Sequence, residues 1–151
     1  MSNFKKSYIL IAIFALSGFA MQVNAQKGLN INEVFETYGK KKNAVMVSLT
    51  NEVLGDYEFS MFKSINIKND PSAADFVREK ISMDEKGAKK IKQVVSNGIV
   101  TSIYLHLPQR HEQNRLILFN EQFKPERQLI LIYIESKNDT DDIMKILLKK
   151  K

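Results

Sequence analysis

The stretch that most constrains the fold is Gln128–Glu135, where six consecutive apolar residues, Leu129 to Ile134, stand between two polar ends. The run is too short to cross a membrane and rich in β-branched residues, so it reads as a strand. Side chains alternate along a strand, so Leu129, Leu131 and Tyr133 share one face and Ile130, Ile132 and Ile134 the other. With both faces apolar, the strand belongs in the middle of a sheet covered at least partly on each side.

The rest of the chain must supply that sheet and its cover. At 151 residues, with 44% hydrophobic and 26% charged content, it is long enough for one domain with a real core and too apolar for disorder. It contains no cysteine, which excludes disulfides, thiol catalysis, cysteine-based zinc sites and a lipid-anchoring signal. The formal charge of +6 is concentrated in short lysine clusters, Lys40–Lys42 and Lys86–Lys92, without interleaved aromatics. That pattern fits solvated loops and edges rather than a nucleic-acid surface.

Residues 1–25 have the form of a cleaved secretory signal peptide. Lys5 and Lys6 open it, Tyr8 to Ala20 is an apolar core, and Val23-Asn24-Ala25 is a small-x-small ending before Gln26. The expectation is a single domain over residues 26–151, periplasmic or secreted, with no membrane span once the signal is removed. A cysteine-free secreted chain suits a Gram-negative envelope better than an animal secretory pathway.

Local patterns place the remaining elements. Ile31, Val34, Phe35 and Tyr38 form one stripe of a short helix, with Asn30 placed to cap it and Gly39 to end it in a left-handed conformation. Strands follow over Ala44–Leu49 and Tyr57–Lys68, separated by a turn at Asn51–Asp56. Asp70-Pro71 begins a second helix whose buried stripe is Ala74, Val77 and Ile81. Asn97-Gly98 is a hairpin turn between Lys92–Ser96 and Ile99–Leu107, since both residues tolerate positive φ. Polar loops at Pro108–Gln113 and Asn120–Arg127 flank a strand at Arg115–Phe119. A last helix starts in Asn138–Asp142 and runs to Leu148. The order α-β-β-α-β-β-β-β-α predicts an α+β domain, an antiparallel sheet of about six strands with three helices packed mainly on one face.

Catalytic signatures are missing from this pattern. His106 and His111 straddle Pro108 without the fixed spacing of a metal site, so they read as strand-end or surface histidines. Asp139, Asp141 and Asp142 begin like a calcium loop, but Met144 and Lys150 occupy the positions that need glycine and glutamate, so helix capping is the better reading. There is no nucleophile elbow, no glycine-rich phosphate loop and no distinguished carboxylate pair, hence no catalytic, cofactor or metal residue to name.

Three short helices cannot cover both faces of such a sheet. Depending on register, Tyr104, Ile117, Phe119, Ile130, Ile132 and Ile134 fall together on the less covered face and make a candidate binding face; in another register, loops or a helix cover them. Gly28–Gly39 and Phe62–Lys68, with the Ile132–Glu135 strand before a final helix, resemble a family of small secreted proteins from Bacteroidetes-type bacteria catalogued only as a domain of unknown function. The resemblance implies a periplasmic or secreted α+β domain and transfers no catalytic residue. The functional expectation is a non-enzymatic binding or accessory module, partnered by an envelope protein or by a second copy of itself. The alternatives are a small hydrolase with an unrecognised site near His106 and His111, or a purely structural homodimer.

Overall fold

The computed structural model describes residues 28–54 and 59–149; the predicted signal peptide and the predicted strand start at Tyr57 lie outside them. Within them the order is α1 (Asn32–Tyr38), β1 (Ala44–Thr50), the single turn α2 (Asn51–Leu54), β2 (Phe59–Lys68), α3 (Pro71–Asp84), β3 (Lys89–Ser96), β4 (Ile99–Arg110), β5 (Gln113–Gln122), β6 (Gln128–Ser136) and α4 (Thr140–Leu148). The fold is α+β. Six strands form one antiparallel sheet in the order β1-β2-β6-β5-β4-β3, and three helices pack on it beside the single turn.

The apolar run from Leu129 to Ile134 falls in β6, which lies inside the sheet between β2 and β5. Leu131 is paired with Ile65 on one side and Phe119 on the other, and all three are fully buried. The alternation of β6 then divides the core in two. Leu129, Leu131 and Tyr133 join Ile65, Ile67, Ile103, Leu105, Leu107, Ile117 and Phe119 beneath α1 and α3. Ile134 joins Leu116, Leu118, Phe59 and Leu54 beneath Ile143 of α4. Two helices therefore cover the first face, and the third lies on the second.

Helix α1 buries the expected stripe of Ile31, Val34, Phe35 and Tyr38, but its ends are made differently from the local reading. Asn30 does not cap it. Asp84, at the far end of α3, accepts the backbone N–H groups of Asn30 (2.8 Å) and Ile31 (2.9 Å) and the Asn30 side-chain amide (2.8 Å). This cap satisfies donors that α1 cannot satisfy internally and ties the two helices together. Gly39 keeps right-handed backbone angles rather than the left-handed turn. Its lack of a side chain serves packing instead, because a Cβ there would stand 2.4 Å from the Phe35 carbonyl oxygen and 2.8 Å from Met46 Sδ.

The hairpins are tight. Asn97 and Gly98 both have positive φ, as the Asn-Gly turn requires. The expected polar loop at Pro108–Gln113 is instead mostly strand: β4 runs to Arg110, β5 starts at Gln113, and His111 and Glu112 form a two-residue turn, both with positive φ. The polar side chains mislead there because this end of the hairpin projects into solvent, where strands need no apolar face.

The carboxylate of Glu121 is wholly buried. Glu121 is held between Arg78 and Arg127, whose Nε lies 2.8 Å from its Oε1, so β5 is bound both to α3 and to the β5–β6 loop. Arg78 Nε also donates to the Val100 carbonyl, 2.9 Å away. A buried charge tolerates such a position only when paired and hydrogen-bonded.

Asp70 caps α3 as expected, accepting from the Ala73 N–H (3.0 Å) and the Ser72 hydroxyl (2.7 Å). The hydrogen bond from Ser72 foremost, and that from Ala73, hold its carboxyl below the ordinary aspartate value against the opposing effect of burial. Because the folded value lies below the unfolded one, the stabilisation is complete above the unfolded carboxylate range and is lost as pH falls through the folded value. Asp70→Ala is therefore predicted to cost about 1 kcal/mol at neutral pH. In denaturant titrations from pH 7 downward, the gap between wild type and variant should hold until pH enters the usual aspartate range and then shrink as pH falls through the folded value.

Candidate binding face

The second face of the sheet can be followed row by row across the strands. The row nearest α4 contains Leu49, Phe62, Ile134, Leu116 and His106. The next contains Val47, Ser64, Ile132, Leu118, Tyr104 and Lys92, and the third Val45, Asn66, Ile130, Asn120, Ser102 and Val94. Ile143, Met144 and Leu147 of α4 pack over the first row and reach Leu118, Ile132 and Tyr104 of the second. None of the third row belongs to this core among the described residues. Cover thus fades from the first row to the third, and from β6 outward to β1.

Helix α4 is fixed there by a polar joint. Asp139 accepts from the Asp142 N–H at 2.9 Å and caps the helix, the role expected of this acidic cluster. His106 has both ring nitrogens engaged, Nδ1 with Thr140 Oγ1 (3.3 Å) and Nε2 with Asn114 Oδ1 (3.2 Å). The Asn114 amide in turn donates to the Asn138 carbonyl at 2.7 Å. The network joins β4 and β5 to the start of α4. His111 stands apart, exposed in its turn. Among the described residues no group of three or more His, Asp or Glu side chains is gathered to hold a metal ion.

The six residues of the expected binding face do not all share it. Tyr104, Ile130, Ile132 and Ile134 lie on the second face, but Ile117 and Phe119 point to the first, where they are fully buried beneath α1 and α3. The reason is register: Ile117 pairs with Tyr133 and Phe119 with Leu131, so Leu116 and Leu118 take the places expected of them. Ile134 is also unavailable, being fully buried under α4. Ile130, Ile132 and Tyr104 remain partly exposed.

An exposed apolar surface that local patterns do not single out lies at β1. Val45 is 68% exposed, Met46 42% and Val47 39%. The strand, Ala-Val-Met-Val-Ser-Leu-Thr, carries no charge and stands at the edge of the sheet. The opposite edge, β3, exposes Ile91, Val94 and Val95 as well, but sets them among Lys89, Lys90 and Lys92 and two register shifts. Lysines and bulges are the usual means of keeping an edge from pairing with another chain. One edge is blunted and the other is open. Two polar atoms on the third row, Asn66 Oδ1 and Ser102 Oγ, are buried without a hydrogen-bond partner among the described residues.

A family model matches residues 18–147. The chain belongs to the family of unknown function DUF6108. Searches for similar curated proteins and for similar solved structures give no match. The match bears out the resemblance to a domain of unknown function, without its secreted or Bacteroidetes aspects, and adds no ligand or reaction, so the geometry of the face must carry the functional reading. No helix among the described residues is long and apolar enough to cross a membrane.

The division of the second face into core and surface is open to measurement. Ile143→Ala should cost about 3 kcal/mol, the usual loss for emptying a buried aliphatic site. Val45→Thr should change stability by less than about 0.5 kcal/mol, as expected for a surface position. Urea midpoints of the two variants check both values.

Proposed function

We propose that this domain is a non-enzymatic binding module of the cell envelope, working in the periplasm or outside the cell, and that it binds protein partners by strand addition at β1. The signal-like residues 1–25 and the cysteine-free composition support the location. The observation that carries the binding reading is the uncharged edge strand β1, with Val45, Met46 and Val47 in solvent beside a lysine-guarded opposite edge. An added strand would bond to the outward backbone groups of β1, while its alternate side chains would meet Val45 and Val47 on the second face. Affinity in that mode comes from the main chain, and specificity from the flanking side chains.

The enzymatic alternative gains little from the joint at His106. Its imidazole meets a hydroxyl and an amide, and both nitrogens are occupied in holding α4.

A photo-reactive residue at position 45 or 95, expressed in the native envelope, tests the reading. Protein recovered from the periplasm or medium should begin at Gln26. Position 45 should give a protein adduct that Val47→Lys abolishes, with the partner's crosslinked residue in an extended apolar segment. Position 95, on the guarded edge, should give none. Equal adducts at both positions, or none at 45, would overturn the proposal.

A further inference from the structure

The β1 edge also fits one particular partner, a second copy of this chain. This inference rests on the strand-addition reading above and names its occupant. We infer that two copies pair β1 against β1 in antiparallel register about a twofold axis at Val47, giving one continuous twelve-stranded sheet.

The sequence of β1 is self-complementary about that axis. Val45, Val47 and Leu49 lie on the second face, and Ala44, Met46, Ser48 and Thr50 on the first. With Val47 opposite the partner's Val47, Val45 meets the partner's Leu49 and Leu49 the partner's Val45. Every cross-strand pair on the second face is then apolar, in the positions where opposed side chains stabilise a sheet. On the first face Met46 meets the partner's Ser48, and Ala44 the partner's Thr50. No charge falls on a pair.

An isologous interface places each charge against its own image, so the lysines decide which edge can pair. At β1 the nearest lysine on the N-terminal side, Lys42, lies in the turn before Ala44, which is itself three residues or about 10 Å from the axis at strand rise, and its image lies beyond the opposite end of the paired strands. The two are separated by well over the Debye length of about 10 Å at 0.1 M salt. At β3 an axis at Gln93 would set Lys92 opposite Val94 of the second copy and diagonal to its own image, about 7–8 Å away, with Lys89 and Lys90 on the same short strand. That edge repels a second copy.

The joined sheet also continues the second face. The row Tyr104–Leu118–Ile132–Ser64–Val47 runs into its image, so the two partly covered faces become one surface with an α4 on each half. A pairing of this length buries less than the roughly 800 Å² per partner of a standard interface, so the dimer should be weak and should dissociate on dilution.

Sedimentation equilibrium of the mature chain, across a wide concentration range, tests the inference. Wild type should shift from monomer toward twice the monomer mass as concentration rises. Val47→Lys and Val47→Glu should each remain monomeric, because each places like charges across the axis. Mixing the two should restore the dimer through a Lys–Glu pair, which only a register centred on residue 47 allows. Circular dichroism of each variant separates loss of pairing from loss of fold, and Val95→Lys should leave the association unchanged. A wild type that stays monomeric, or a mixture that fails to re-associate while both variants are folded, would overturn the twin-strand inference. A monomeric wild type that still gives Val47-dependent adducts to another protein at position 45 would leave strand addition standing and replace only the occupant.

Discussion

Everything in this domain follows from the burial of β6. A strand apolar at six successive positions must have both faces covered, and it finds that cover by inserting between β2 and β5 rather than pairing with its sequence neighbour alone. The first face is met in full by α1 and α3, whose stripes share one core with Leu129, Leu131 and Tyr133. Burial, and next its hydrogen bond to Glu135 (2.6 Å), raise the Tyr133 hydroxyl above its ordinary pKa, so it remains a neutral donor inside that core. The second face has only the nine residues of α4 and the turn α2 to cover it. The shortfall falls on the rows furthest from α4 and on the outermost strand, β1.

The two sheet edges show how the same backbone problem is solved in opposite ways. An edge strand offers unpaired N–H and C=O groups to any neighbour. At β3 the chain answers with three lysines and two irregularities of register. At β1 it offers valines and a methionine with no charge between Ala44 and Thr50. The basic Lys40–Lys42 turn precedes this strand without entering it. An edge left open beside one so heavily guarded is the basis for reading β1 as a surface for association.

Much of the fold is legible from local pattern, because the patterns are themselves local physics. The stripe of α1, the Asp70-Pro71 start of α3 and the Asn97-Gly98 turn all follow from residues within a few positions of each other. What was not legible depends on residues far apart. Asp84 caps α1 from more than fifty positions away, and Gly39 is required by the approach of Met46. The face of Ile117 and Phe119 depends on register, because Leu116–Phe119 is apolar at every position and carries no phase of its own. Only pairing with β6 fixes which of them turns inward on which side. The edge position of β1 is likewise a property of strand order, although its lack of lysine beside the lysine-rich β3 was a visible signal.

Association of this domain depends on β1 being an edge that another strand can fill, on a sheet built around β6. Amide hydrogen exchange followed at rising protein concentration tests this most directly. The central amides of β6 should be the slowest at every concentration, and Ala44–Thr50 should gain protection as the protein is concentrated, while Lys89–Ser96 does not change. Exchange in β1 that is independent of concentration, or protection that grows at β3 instead, would contradict pairing at β1.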